Sequence, residues 1–167
     1  MPTLRDATID DAARIAAIYN QSIDARDSTM QRARVSEEKV TSWIGGLGPR
    51  EALLVLDSGR FVAGWGVIRR YSDRGGYRYA AETSVYLDRG QTGRGWGSKL
   101  QEELIGRARS FGYHHLVAKV WADNARSVAL HRKFGYEIVG VQSEIGRVEG
   151  DWVDVAILQK VLGSSPE

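Results

Sequence analysis

The chain contains 167 residues, of which 43% are hydrophobic and 26% are charged, and this composition is typical of one globular domain. The formal net charge is only +2 and the basic residues are spread along the chain, so neither nucleic acid nor a membrane surface is predicted as a partner. The sequence contains no cysteine, which excludes disulfides, thiolate nucleophiles and cysteine-based metal sites. The first residues lack the apolar segment of a signal peptide, and no apolar run reaches the roughly 20 residues of a membrane span, so we expect a cytoplasmic protein.

The first half of the chain predicts antiparallel strands and two helices. A short strand at 3–7 precedes a helix whose apolar residues between positions 12 and 23 fall on one face. Ser36 is placed to cap a second helix. The apolar runs 52–56 and 61–68 flank a glycine-containing turn, which is the pattern of a β-hairpin.

The second half of the chain predicts a strand–helix–strand unit followed by two closing strands. The predicted elements are a loop at 71–77, strands at 79–87, 115–121, 136–141 and 152–158, and helices at 95–111 and 124–134. The sequence therefore predicts one α/β (α+β) domain over residues 1–162, with a mixed central sheet of about six or seven strands and about four helices. Residues 163–167 are predicted to form a flexible tail.

A glycine-rich bend lies between the strand at 79–87 and the helix that follows it. Residues 92–97 read Thr-Gly-Arg-Gly-Trp-Gly, and such a bend at a helix start points successive N–H groups toward an anion. The bend therefore predicts a phosphorylated ligand. The alternative is that Gly95 and Gly97 only permit close packing of the strand against the helix. The bend lacks the Lys-Ser/Thr pair of a P-loop.

Glu82 is the first candidate catalytic residue. Strand alternation places Glu82, Ser84 and Tyr86 on one face of the strand at 79–87. A carboxylate within a strand that has apolar neighbours is suited to act as a general base. The alternative is a glutamate at a sheet edge that faces solvent or pairs with an arginine.

Asn124, Ser127 and His131 form the second candidate group, because helical spacing brings all three into one narrow arc. Each residue also has a purely structural interpretation: a helix cap for Asn124, a surface serine for Ser127 and a packed histidine for His131. No further ligand stands at metal spacing from the His114-His115 pair, so no metal site is predicted.

With these motifs in order, the chain resembles the GNAT superfamily of acyl-CoA-dependent N-acetyltransferases over nearly its whole length. The signature Arg/Gln-x-x-Gly-x-Gly/Ala matches residues 92–97 except at Thr92, and residues 124–136 resemble the Asn-x-x-Ser…Gly-Phe/Tyr block. His131 stands where many members carry a tyrosine. That histidine, together with residues 77–86 and 150–155, resembles the phosphinothricin N-acetyltransferase subgroup, which includes acetyltransferases of methionine sulfoximine and methionine sulfone.

The resemblance implies that the strands at 79–87 and 115–121 splay apart to admit acetyl-CoA. It implies that the backbones of Val85 and Leu87 bind the pantetheine arm, and that Asn124 and Ser127 line the thiol end. The implied pyrophosphate ligands are the backbone N–H groups of the loop residues Gly93, Arg94, Gly95, Trp96, Gly97 and Ser98.

The resemblance also implies direct attack of an amine on the acetyl thioester in a ternary complex, with no covalent enzyme intermediate. In that mechanism Glu82 takes a proton from the amine, directly or through water. His131 protonates the departing thiolate or orients the group that does. A backbone N–H near Val85 or Tyr86 stabilises the developing oxyanion.

The implied acceptor is an amino-acid-like amine. Arg69, Arg70, Arg74 and Arg78 crowd one loop, where at least two of them are expected to be solvated, and Arg74 and Arg78 are the candidates to bind its carboxylate. The subgroup match adds Tyr19. Alternative acceptors are a protein N-terminus, a polyamine or an aminoglycoside, and an alternative function is that of a non-catalytic acyl-CoA sensor. The resemblance further implies a homodimer, with the aromatic residues Trp43 and Trp152 contributing either to its interface or to the core.

Overall fold

The computed structural model describes residues 1–163, so residues 164–167 of the predicted tail lie outside the described part. Seven strands and four α-helices occur in that part, and they confirm the predicted α/β (α+β) class. In chain order they are β1 (Thr3–Asp6), α1 (Ala12–Ala25), α2 (Glu37–Gly45), β2 (Ala52–Asp57), β3 (Val62–Arg70), β4 (Ala80–Leu87), α3 (Trp96–Ser110), β5 (His115–Trp121), α4 (Ala125–Lys133), β6 (Glu137–Val148) and β7 (Asp151–Val161).

The strands form one mixed sheet in the order β1-β2-β3-β4-β5-β7-β6. Strands β1 to β4 are antiparallel neighbours, β4 and β5 are parallel, and β5, β7 and β6 are antiparallel. Helix α3 makes the crossover that a parallel pair requires. The sheet therefore has the predicted antiparallel first half and strand–helix–strand second half.

Both faces of the sheet are covered by helices. Strand β2 shows this directly, because all residues from Ala52 to Leu56 are buried and neighbouring side chains enter different clusters. Leu54 packs in the cluster that contains Leu104 of α3, whereas Leu53 packs in the cluster that contains Ile15 of α1. The helices therefore cover both faces of the middle of the sheet.

Strands β4 and β5 are paired over only three positions. The partners are Ala80 with His115, Ala81 with Leu116 and Glu82 with Val117. Beyond Glu82, strand β4 continues to Leu87 but no longer pairs with β5. The predicted splayed pair is therefore present, and the separation begins at Glu82.

The β6–β7 hairpin is longer than predicted. The predicted strands ended at residues 141 and 158, whereas β6 ends at Val148 and β7 ends at Val161. Its turn residues Glu149 and Gly150 both have positive φ, of 51° and 87°, which suits a tight hairpin turn. Two register shifts interrupt β6, between Ile138 and Gly140 and again between Gln142 and Gly146. These irregularities break the period-two pattern on which the prediction depended.

Candidate active site

Strand β4 separates two cavities. Ser84 and Tyr86 line both of them, so the cavities meet along this strand. Thr83, Val85 and Leu87 line the first cavity, together with the glycine-rich loop and α4. Glu82 lines the second cavity, together with side chains of α1, α2 and β3. We call them the loop cavity and the aromatic cavity.

The glycine-rich loop forms one wall of the loop cavity and begins α3. Gly93 and Gly95 adopt φ angles of +81° and +75°, a conformation that L-residues other than glycine rarely take. A Cβ atom at either position would have no neighbour within 4 Å, so close packing is not the reason for these two glycines. At Gly97 a Cβ would lie 3.3 Å from Leu130 Cδ2, so Gly97 does serve packing.

The N-terminal turn of α3 completes this wall. Trp96, Gly97 and Ser98 line the cavity, where the first N–H groups of a helix have no intrahelical acceptor. The Arg94 guanidinium stacks on the Trp96 ring, with its central carbon 5.3 Å from the ring centroid. The wall therefore presents backbone donors and positive potential to an anion.

At the other end of the loop cavity, α4 supplies Asn124, Ser127 and His131. Asn124 caps the helix, since its Oδ1 accepts a hydrogen bond from the Ser127 N–H at 3.2 Å. His131 is 4% exposed, and its Nδ1 lies 2.7 Å from the Ser127 carbonyl oxygen. A carbonyl only accepts, so Nδ1 carries the proton of the neutral ring and Nε2 keeps its lone pair.

Burial lowers the pKa of His131, because the charged imidazolium loses more solvation than the neutral ring. The ring also packs edge-on against Tyr136, with centroids 5.0 Å apart. The structure therefore brings the three predicted residues together. Asn124 also caps α4 and His131 is also a packed histidine, which are the structural roles given above as their alternatives.

Glu82 is positioned by its place at the branch of β4 and β5. Its side chain is about one-third exposed, and its Oε2 lies 3.6 Å from Lys119 Nζ. On the other side of β4, the strand register places Arg69 of β3 directly opposite Glu82. Both Arg69 and Glu82 line the aromatic cavity. The Arg69 guanidinium lies over the Trp43 ring, 5.7 Å from its centroid, so this cavity presents both a carboxylate and a cation to its occupant.

Four aromatic rings form the wall of the aromatic cavity. The rings of Tyr86 and Trp65 stack with centroids 4.6 Å apart, and Tyr19 meets Tyr86 edge-on at 4.9 Å. Trp43 contacts both Tyr19 and Trp65. Burial raises the pKa of Tyr86, which keeps its hydroxyl neutral. Tyr19, which the subgroup resemblance assigned to substrate binding, lines this cavity.

The arginines chosen from the sequence lie elsewhere. Arg74 and Arg78 are exposed near a short 3-10 turn at Gly75–Tyr77, and neither is among the residues that line the two cavities. Arg78 stacks on the Tyr79 ring, 5.0 Å from its centroid. Two arginines, Arg34 and Arg69, line the aromatic cavity. Arg34 pairs with Asp24, whereas Arg69 lies opposite Glu82 in the register of β3 with β4.

Residues 4–157 match a sequence model of the acetyltransferase (GNAT) domain. The chain belongs to the GNAT acetyltransferase family. A curated relative, the L-methionine sulfoximine/L-methionine sulfone acetyltransferase of Pseudomonas paraeruginosa, is 31% identical over 94% of this chain and 92% of its own length. The match confirms the predicted family, and with it the prediction of an acetyltransferase.

Two solved structures closely resemble the fold of this chain. A Salmonella typhimurium acetyltransferase structure with its cofactor acetyl-CoA has a TM-score of 0.94 and 28% identity, and covers 100% of this chain and 97% of its own. The phosphinothricin acetyltransferase of Sinorhizobium meliloti in complex with acetyl-CoA has a TM-score of 0.91 and 30% identity, and covers 99% and 93%.

Within residues 1–163, no group of three or more metal-ligating side chains is placed to hold a metal ion. None of the helices in that same range combines the length and apolar character that crossing a bilayer requires.

Proposed function

We propose that this GNAT protein transfers the acetyl group of acetyl-CoA to the primary amine of a small amino-acid-like acceptor, by direct attack in a ternary complex. The observation that carries the proposal is the arrangement around β4. Residues of this one strand line two cavities that share Ser84 and Tyr86, and Glu82 stands where the strand leaves β5. Two substrates can therefore meet at one strand without a covalent enzyme intermediate.

The loop cavity has the donors that a nucleotide-linked thioester requires. Backbone groups of Val85 and Leu87 lie on the part of β4 that has no β5 partner, and a pantetheine amide can occupy the place of the missing strand. The N–H groups from Gly93 to Ser98 suit the pyrophosphate. Asn124 and Ser127 line the end assigned to the thiol.

Glu82 is assigned as the general base. An amine arrives protonated at neutral pH and has no lone pair for attack until a base removes the proton. The carboxylate of Glu82 can take that proton directly or through a water molecule, and a backbone N–H near Val85 or Tyr86 then stabilises the oxyanion. A base normally contributes about 10²–10⁴-fold to the rate.

His131 is assigned a smaller part in thiolate departure. Its Nδ1–H is held by the Ser127 carbonyl, so only a protonated Nε2 can donate. Because burial lowers the pKa of His131, that form is a minority at neutral pH. A thiolate is also a good leaving group, so we expect His131 to affect the rate less than Glu82.

The acceptor class follows from charges in the aromatic cavity and from the relatives. The relatives are named for methionine sulfoximine, methionine sulfone and phosphinothricin, all of which carry an α-amine beside an α-carboxylate. With the amine at Glu82, the carboxylate is expected to pair with Arg69, which lines the same cavity. Arg74 and Arg78 are the alternative ligands for this carboxylate.

The deciding experiment is acetyl-CoA turnover, followed by release of free thiol, against a panel of acceptors. The panel contains methionine sulfoximine, methionine sulfone, phosphinothricin, ordinary amino acids, short peptides and polyamines. Turnover of free amino acids supports the proposal. Turnover of peptides alone, or tight acetyl-CoA binding without turnover of any amine, would contradict it in favour of a protein N-terminal acetyltransferase or a sensor.

We also propose a homodimer, with the outer surface of the β6–β7 hairpin as its interface. β6 is an edge strand, and Val139, Val141 and Ile145 on it are each more than half exposed. Trp152 on β7 is 59% exposed, whereas Trp43 packs with the core cluster of α1. Light scattering of the chain and of Val141→Glu tests this, because a charge on the interface should yield monomers.

A further inference from the structure

The glycine-rich loop lacks one side chain that its family signature supplies. The signature begins with Arg or Gln, whereas this chain has Thr92 at that position. Thr92 is also occupied internally, because its hydroxyl donates a hydrogen bond to the Arg89 carbonyl oxygen at 3.3 Å. The resemblance implies a side-chain contact from this position to the pyrophosphate, and a short threonine held in this way does not replace the longer side chain.

A neighbouring arginine reaches the same cavity. Arg89 lies in a 3-10 turn at Arg89–Gln91, immediately before the loop, and its side chain lines the loop cavity beside Thr92 and Gly93. Its backbone N–H donates to Gln21 Oε1 at 2.9 Å, which fixes the turn against α1. The other cations that line this cavity, Lys119 and Arg126, belong to β5 and α4 rather than to the loop.

Asp27 holds the guanidinium of Arg89 by two parallel hydrogen bonds. Nη1 lies 2.7 Å from Oδ2 of Asp27, and Nη2 lies 2.6 Å from Oδ1. Asp27 and Ser28 line the loop cavity as well, so a carboxylate faces a space expected to receive a phosphorylated molecule. Arg89 neutralises this carboxylate, and its Nη2 also donates to Ser28 Oγ at 3.5 Å. The N–H groups that Asp27 and Ser28 leave free remain available to a second anion.

We propose that Arg89 binds the pyrophosphate of coenzyme A in this chain and takes the role that the family gives to position 92, and that Asp27 opposes this binding by its own negative charge. The inference rests on the proposed use of acetyl-CoA. It predicts opposite effects for the two members of one ion pair. A pair that only stabilised the loop would be weakened in the same way by loss of either member.

The test is calorimetric titration with coenzyme A of the wild type, Arg89→Met and Asp27→Asn. Arg89→Met leaves Asp27 uncompensated, so the Kd should rise about tenfold or more, as for loss of a charge-assisted contact. Asp27→Asn removes a repulsive charge, so the Kd should fall severalfold at low salt and less at high salt. Arg89→Lys keeps the charge and should lie between the wild type and Arg89→Met. The matched control is Arg107→Met, which breaks the remote Arg107–Asp6 pair and should leave the Kd unchanged.

Dephospho-coenzyme A keeps the pyrophosphate and lacks the 3′-phosphate, so titration with it shows which of these groups Arg89 contacts. The effect of Arg89→Met should persist with this ligand, and its disappearance would place Arg89 at the 3′-phosphate and overturn the assignment. Equal weakening by Arg89→Met and Asp27→Asn, with unfolding midpoints lowered in parallel, would show a purely structural pair. A wild type that binds no coenzyme A would instead overturn the proposed function itself.

Discussion

The loop cavity and the aromatic cavity are built from different parts of the polypeptide. The loop cavity presents mainly backbone groups. These come from the part of β4 that has no β5 partner, from the residues around Gly93 and Gly95, and from the first turn of α3. The aromatic cavity presents mainly side chains, which α1, α2, β3 and β4 bring together. A backbone site tolerates sequence change as long as its conformation persists, whereas a side-chain site changes with each substitution. The motifs of the family therefore lie at the first cavity, and we propose that the second cavity selects the acceptor.

The largest expected effect separates chemistry from cofactor binding. Glu82→Gln should lower kcat/KM by about 10²–10⁴-fold, because the amine loses its general base. Steady-state thiol release measures this loss, and calorimetry should show an unchanged Kd for coenzyme A. The control is Glu102→Gln, at an exposed position of α3. A weakened Kd with little loss of turnover would mean that Glu82 belongs to the cofactor side.

The next effect concerns the acceptor alone. Arg69→Met should raise the KM for an amino-acid acceptor roughly 10–100-fold, because a hydrogen-bonded ion pair contributes about 1.5–3 kcal/mol. The KM for acetyl-CoA should stay within about twofold. Arg74→Ala and Arg78→Ala are measured beside it and should have smaller effects. If either of these exceeds Arg69→Met, the exposed loop binds the carboxylate and the aromatic cavity does not.

A third effect concerns the backbone of the loop cavity. Gly95→Ala forces an L-residue to a φ of +75°, which costs about 1–2 kcal/mol, so coenzyme A should bind roughly tenfold more weakly. Gly106→Ala is the matched control within α3, where a Cβ meets nothing within 4 Å and φ is not positive. That variant should bind normally and unfold at a slightly higher temperature. Equal binding by both variants would mean that the loop conformation is unimportant.

The smallest effect is a pH dependence of stability. The unfolded chain protonates His131 with a pKa near 6.5, whereas burial lowers the pKa of His131 in the fold. Its contribution to the unfolding free energy is thus fully present above about pH 6.5 and is lost as the pH falls below that value. Urea unfolding between pH 7.5 and 5.5 measures it, and His131→Gln should flatten the curve. An unchanged slope in the variant would place the dependence on other groups.

Local spacing was enough to predict the loop cavity. The positions of Gly93, Gly95, Asn124 and Ser127 follow from short-range patterns, because a strand, a bend and a capped helix are set within a few residues. The β4–β5 split follows from family resemblance rather than from periodicity. The predicted end of β6 was wrong because bulges interrupt its alternating pattern, and β7 continues beyond its predicted end to Val161, which pairs with His115 of β5.

The contacts missed from the sequence are all long-range. Asp27 meets Arg89 across 62 positions, and Lys119 reaches Glu82 from a different strand. Arg74 and Arg78 were selected because arginines crowd their segment, but local density does not show which way a segment faces. Arg69 belongs to the same crowded segment, and its position opposite Glu82 follows only from the register of β3 with β4.

The position of β4 between the two cavities has a consequence for inhibitor design. Ser84 and Tyr86 of this strand line both cavities, so a compound that joins an amino acid to the sulfur of coenzyme A has to cross only one strand. Each half of such a compound would hold the other at a high effective concentration. A bisubstrate inhibitor of this kind should therefore outcompete ligands that fill either cavity alone.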